Sequence, residues 1–314
     1  MIIKINYKVI AFICGILIVA GACWLLEPLA ATSERKVGVA VSSLAGNATA
    51  SSTGDKAAGG GENSEGIPVP IVMYHHMLIK SKLLGDYTIT PTEFENDLKW
   101  IKEHGYTPVF VADLVAYVEK GTPLPSKPII ISFDDGYEST HTYAYPLLQK
   151  YQMKAVVAVI GTYSDLYSES GDENVNYSHL TWNQIREMDQ SGFIEFQNHT
   201  YDMHDDKGGR KGVRKKLGES DAEYRQFLID DIGLLQEKLQ SATGKKPTCF
   251  AYPFGYITKQ SKPIIKELGF KCSFSCATGV SLITRDSESL YLMRRNNRPH
   301  NVETDSFFQK ICKS

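Results

Sequence analysis

Two hydrophobic periods alternate along residues 67–314, one of strands and one of helices. Ile67-Pro68-Val69-Pro70-Ile71-Val72-Met73-Tyr74 is a strand-like run that ends at His75-His76. Over residues 92–104, Phe94, Leu98 and Ile101 recur at helical spacing, which predicts an amphipathic helix with Thr92 as its cap. Residues 127–133 form a continuous apolar strand, followed by a helix through 143–151 and a further strand over 154–160. Residues 182–191 read as a helix, 193–197 as a strand and 222–243 as a long helix. Two last strands, 248–252 and 270–276, enclose a helix over 262–268. Strand, helix, strand in this order predicts an α/β fold with a mostly parallel sheet and helices outside it. At about 250 residues the expected form is an irregular or incomplete (β/α) barrel, with a doubly wound open sheet as the alternative. In either form the chemistry belongs at the C-terminal ends of the strands.

The first 66 residues follow neither period. Lys4 and Lys8 precede an apolar run of 18 residues, 9–26, that ends at Glu27. Its length is at the lower edge for a membrane span, and the charge before it places everything after it outside the cytoplasm. Residues 1–31 are therefore expected to be a signal anchor. A signal peptide cleaved near Ala30-Ala31 and lipidation at Cys23 are the alternatives, and all three export the chain. Residues 32–66, rich in Ala, Ser, Gly, Thr and Glu, cannot bury enough apolar surface to order themselves and read as a flexible tether. That leaves 67–314 as the catalytic domain. A net charge of −2 with 42% hydrophobic residues gives no sign of a nucleic-acid partner. Cys249, Cys272, Cys276 and Cys312 match no zinc spacing, and no bridge is assigned among them.

The chemistry concentrates in two stretches, Ser132-Phe133-Asp134-Asp135-Gly136 and His199-Thr200-Tyr201-Asp202-Met203-His204. Consecutive strand residues point to opposite faces, so both carboxylates can face one site only if the strand is already ending, and Gly136 allows that turn. One carboxylate and two imidazoles suffice to hold a hydrolytic metal with a position left open. A dication at Asp135 would relieve the repulsion between the two acids and leave Asp134 ionised as a base. His199 and His204 are five apart, a poor spacing for one helix face, so a loop must wrap the metal. Nitrogen and carboxylate donors suit Zn, with Co, Ni, Mn and Fe open to the same set. By themselves an Asp-Asp-Gly is most often a solvated turn and a histidine a structural residue. Their joint placement at equivalent strand ends outweighs that.

These two stretches, together with Phe250-Ala251-Tyr252-Pro253-Phe254-Gly255, resemble three motifs of the NodB-homology polysaccharide deacetylases, in the right order across roughly residues 67–314. The resemblance implies an irregular (β/α) barrel that removes acetyl groups from N-acetylglucosamine units of a glycan. It implies Asp134 as the base, Asp135, His199 and His204 as metal ligands, and Tyr252, Pro253, Phe254 and Gly255 as the substrate-binding turn, the backbone near Phe254 holding the oxyanion. Ala251 stands where many members carry the arginine that orients the base, and Arg294 or Arg295 could replace it. No Leu-x-His is present. The motif forms are closest to the branch acting on exported poly-N-acetylglucosamine, which points to His75 as the acid and leaves His300 in reserve. Trp182 is expected in the core or at the barrel rim, and residues 207–216 as a solvated loop. Peptidoglycan, acetyl esters of xylan-like glycans, small amides and a catalytically silent glycan-binding module of the same fold are the competing readings.

Overall fold

The computed structural model describes residues 66–205 and 209–312. The expected anchor and nearly all of the tether lie outside them. No helix among the described residues is long and apolar enough to cross a membrane.

A curled, all-parallel sheet forms the centre. Its strands run in the spatial order Cys272–Phe274, Cys249–Ala251, Ile194–Asn198, Ala155–Val159, Pro128–Phe133, Ile71–Tyr74 and Asn296–Asn297, with Thr107–Pro108 also paired to Pro128–Phe133. The first six stand in strict reverse sequence order, each joined to its neighbour by a crossover that contains at least one helix. Pro128–Phe133 and Ala155–Val159 are buried at every position, as a strand covered on both faces requires.

The half-barrel is bridged by a short segment near the C-terminus. Met293 pairs in parallel with Phe274 at one edge, while Asn296 and Asn297 pair with Val72 and Met73 at the other. The backbone N–H of Arg298 then donates to the Met73 carbonyl at 3.0 Å. Two paired residues carry no legible period, so the sequence pattern passes over this seam.

Several boundaries move for local reasons. The first run breaks at Pro70: Ile67–Val69 pairs antiparallel with Ser281–Ile283, and only Ile71–Tyr74 joins the main sheet. The first helix is Pro91–Glu103, and its cap is Thr90 rather than Thr92. Pro91 at the first helical position and a reciprocal bond to Glu93 complete a capping box. Helices Val111–Lys120, Gly161–Ser170 and Thr304–Cys312 add to the expected set. Residues 209–216 are anchored rather than loose, because Arg210 is buried, paired with Glu219 and stacked 4.0 Å over Phe227. Trp182 packs against the core and donates to Asp165 at 2.8 Å. All four described cysteines are free thiols.

Candidate active site

Pro128–Phe133 delivers the two carboxylates and stops there. Asp135 and Gly136 both take left-handed backbone, with φ of 68° and 70°. The turn at Asp135 swings its carboxylate to the same side as Asp134, which a regular strand would forbid. A Cβ on Gly136 would lie 2.8 Å from Val159 Cγ1, so lack of space as well as backbone angle demands glycine. A left-handed residue other than glycine costs about 1–2 kcal/mol. It recurs at Thr200 (φ 74°) and Phe254 (φ 55°), so all three turns that meet at the site carry this strain.

The histidine loop is tied down from below. Asn198 donates to the Ile232 carbonyl at 2.9 Å and accepts the Thr200 N–H at 2.9 Å. Asp231, on the long helix Asp221–Thr243, accepts the N–H groups of Tyr201 and Asp202, each at 2.8 Å. His199 Nδ1 lies 2.8 Å from the Ala251 carbonyl oxygen. A carbonyl can only accept, so Nδ1 carries the proton and Nε2 is free. That Nε2 sits 3.5 Å from Asp135 Oδ1 and 4.0 Å from Asp134 Oδ2, while His204 Nε2 is 3.2 Å from Asp135 Oδ1.

Asp135 Oδ1 is buried and makes no hydrogen bond. One ligand atom from each of Asp135, His199 and His204 lies within 4.8 Å of the other two. An orphaned carboxylate oxygen facing two imidazole nitrogens fits a divalent cation, and the N/O donor set is that of zinc and its neighbours. The ring bond from His199 to the Ala251 carbonyl is the kind of outer contact that fixes a metal-binding imidazole.

Asp134 has a different partner. Arg295, wholly buried, grips it with two parallel bonds, Nη1 to Oδ1 at 2.6 Å and Nη2 to Oδ2 at 2.7 Å. Arg295 Nε donates to the Ser275 carbonyl at 3.0 Å, and the guanidinium lies 5.0 Å over the Phe274 ring. Of the two arginines left open by the sequence, it is therefore Arg295 that meets Asp134, while Arg294 turns outward to the Thr278 carbonyl. Burial pushes the Asp134 carboxyl up, but Arg295 and then His199 overcome it and hold the group below the usual carboxylate range. Asp135 is likewise pushed up by burial and held down by His199 and His204. Burial lowers His75, and it lowers His204 with help from His199. His199 is also opposed by burial, yet Asp134 and Asp135 raise it above the ordinary imidazole value.

These groups line a cleft of about 550 Å³ that also includes His75, Tyr87, Phe254, Cys276 and Asn297. His76 has both ring nitrogens occupied, by Ser139 Oγ at 2.8 Å and the Asn176 carbonyl at 3.2 Å. His75 does not; its Nδ1 is buried without a partner. The structure does not bring His300 to the cleft, because its Nδ1 lies 2.9 Å from Glu93 at the start of the first helix. In the 252–255 turn, Tyr252 is buried in the core beside Ser261 and Pro253 is buried as well. Only Phe254 presents a face, 43% exposed and packed 4.4 Å from the His204 ring. Gly255 is needed for space, since a Cβ there would come within 2.7 Å of Cys276 Cβ. Arg295, Asp231 and Asn297 are the contributors that sequence patterns did not single out or left undecided.

A family model for polysaccharide deacetylases matches residues 121–273, a span that holds both carboxylates, both histidines and the 252–255 turn. The chain carries a polysaccharide deacetylase domain. Poly-beta-1,6-N-acetyl-D-glucosamine N-deacetylase of Staphylococcus aureus (strain MRSA252) is 29% identical to it over 234 residues, 74% of this chain and 73% of that protein. Among solved structures, the Streptococcus pyogenes deacetylase PplD in complex with acetate superposes with a TM-score of 0.64 at 21% identity, over 78% of this chain and 99% of that one. IcaB from Ammonifex degensii does so with a TM-score of 0.62 at 25% identity, over 79% and 97%. These likenesses place the deacetylase domain in an incomplete (β/α) barrel, the fold expected from its strand and helix pattern. Within this domain Ala251 keeps a use in spite of its missing side chain, because its carbonyl orients His199 while Arg295 arrives from the seam to hold Asp134.

Proposed function

We propose that the protein is a metal-dependent N-deacetylase of an extracytoplasmic N-acetylglucosamine polymer, with poly-β-1,6-N-acetylglucosamine as the preferred substrate and peptidoglycan as the runner-up. The observation that carries this reading is the pairing of a buried, arginine-held carboxylate, Asp134, with an adjacent Asp135–His199–His204 cluster whose Asp135 Oδ1 has no hydrogen bond. The name of the Staphylococcus aureus relative supports the choice of glycan. The apolar run over 9–26, with lysines before it, supports tethering to the membrane with the domain outside.

In this reading Asp135, His199 and His204 hold the metal. Bound there, it would supply Lewis acidity toward the acetamide oxygen and toward water, and Zn suits the donors best. Asp134 takes a proton from the water whose oxygen attacks the acetyl carbon. Arg295 keeps Asp134 ionised and aimed, at the cost of some basicity. A backbone N–H of the 252–255 turn donates to the oxygen that gains charge. Protonated on both ring nitrogens, His75 gives its Nε2 proton to the amide nitrogen as the C–N bond breaks, which leaves a free amine on the sugar and acetate and returns the ring to its neutral form. The exposed face of Phe254 beside His204 offers an apolar surface to the sugar ring.

The test offers the full chain, loaded with Zn or Co, poly-N-acetylglucosamine, peptidoglycan and acetylxylan, and measures acetate. Release from the first, abolished by Asp134→Asn, is the expected result. Release from acetylxylan alone would replace the amide reading with ester hydrolysis. No release from any of the three would favour a glycan-binding module.

A further inference from the structure

Two buried polar atoms of opposite need sit on neighbouring strands beside the metal cluster. His75 Nδ1 and Asn297 Oδ1 are both enclosed, and neither has a hydrogen-bond partner. Such atoms are rare in folded proteins because their desolvation goes uncompensated. Asn297 lies opposite Met73 in the parallel pairing of the seam strand with Ile71–Tyr74, and His75 follows Met73 by two residues. Residues two apart on an extended chain share a face, and all three line the cleft. Both side chains also abut one corner: Asn297 Nδ2 donates to the Asp86 carbonyl at 2.6 Å, and the His75 ring packs edge-on against Tyr87 with centroids 4.9 Å apart. The bond to Asp86 fixes which end of the carboxamide is nitrogen, so the free end is an acceptor.

We propose that Asn297 is the positioning residue for His75, its Oδ1 accepting the hydrogen of His75 Nδ1 so that Nε2 faces the substrate. The two atoms are not hydrogen-bonded in this structure, and the contact forms as the occupied cleft tightens, as catalytic hydrogen bonds commonly do. His75 thereby gains what His199 already has from Ala251, a fixed tautomer set by an acceptor on the far nitrogen. A carboxamide achieves this without adding a negative charge beside Asp134 and Asp135. The catalytic part of this inference rests on His75 being the acid; the contact does not.

Full-length protein labelled with ¹⁵N at histidine, loaded with Zn and saturated with acetate to occupy the cleft would show, in long-range ¹H–¹⁵N spectra, His75 as the Nδ1–H tautomer. Asn297→Ala should abolish that single tautomer, and Asn297→Asp should restore it. On poly-N-acetylglucosamine, Asn297→Ala should lower kcat about tenfold with KM little changed, and cost nothing further in a His75→Ala background. An Nδ1–H tautomer unmoved by Asn297→Ala, or an equal loss in the His75→Ala background, overturns the proposal. Should the alanine variant not fold, the near-isosteric Asn297→Asp decides alone: an unchanged Nδ1 shift there would also overturn it. If the wild type releases no acetate, the functional reading falls while the ring spectra still decide the Asn297 contact.

Discussion

Arg295 and Arg298 are three residues apart on the same seam, both wholly buried, and each grips one aspartate with two bonds. Their surroundings separate them. Asp97 accepts from Arg298 Nε at 2.9 Å and Nη2 at 3.1 Å, from the Tyr74 hydroxyl at 3.0 Å and from Thr304 Oγ1 at 2.9 Å. No lone pair of consequence remains, and the pair fastens the first helix to the seam and to the end of the first strand. Asp134 receives Arg295 alone from the side chains and faces the cleft, with His199 Nε2 at 4.0 Å. Burial outweighs Arg298 and lifts the Asp97 carboxyl, whereas at Asp134 Arg295 together with His199 and His75 overcomes burial and lowers the carboxyl. The same ion pair is a fastener when saturated and leaves a carboxylate with spare capacity when it faces a cavity, as the proposed base requires.

The comparison breaks most visibly at the carboxylates. Asp134→Asn should reduce acetate release about a thousandfold with metal content unchanged, while Asp97→Asn should leave turnover per folded molecule near wild type. Loss of turnover in the Asp97 variant, measured on its folded fraction, would dissolve the distinction. At the arginines both pairs should look alike by stability: Arg295→Met and Arg298→Met each leave a buried carboxylate unpaired, a loss of about 3–5 kcal/mol in urea unfolding. Only the Arg295 variant should also change kcat in molecules that remain folded.

A smaller effect is expected one layer behind the metal cluster. Asp231→Ala frees the Tyr201 and Asp202 N–H groups and should weaken zinc binding about ten- to a hundredfold, read by competition with a chelator; unchanged affinity would mean that the histidine loop holds itself. The smallest effect is a pH dependence at the same residue. Burial raises the Asp231 carboxyl to about 6 from an ordinary 3.8. The folded state therefore keeps a proton that the unfolded chain has given up. Stability from this group is fully present below about pH 3.8 and is lost as pH rises to about 6. Urea unfolding of Asp231→Asn across that window should show a shallower decline than wild type, and an identical slope would remove Asp231 as its source.

Asp134, Asp135, His199 and His204 were legible because each follows an apolar strand directly, and in a parallel α/β sheet that location is where reactive groups collect. The order of strands and helices likewise sufficed for an incomplete barrel. Arg295 was harder to see, since it lies 161 residues from Asp134 and on a segment with two paired residues, too short for a period. Asp231 sits among other polar positions of a 23-residue helix, where nothing local marks it as the acceptor of a distant loop. Between His75 and His76 the sequence offered only the family resemblance, which favoured His75; the neighbours of their ring nitrogens distinguish the two directly.

Composition, period and motif by themselves determined the α/β class and which residue types stand at the ends of which strands, because those follow from local burial and from chain order. Tertiary structure alone decided which arginine holds Asp134, that Ala251 contributes a carbonyl, and that Asn297 lines the same cleft as His75. Each of these is a meeting of groups that neither hydrophobic period connects: the first and last arise where residues 293–297 bridge the sheet edges, the second where strands Ile194–Asn198 and Cys249–Ala251 lie side by side.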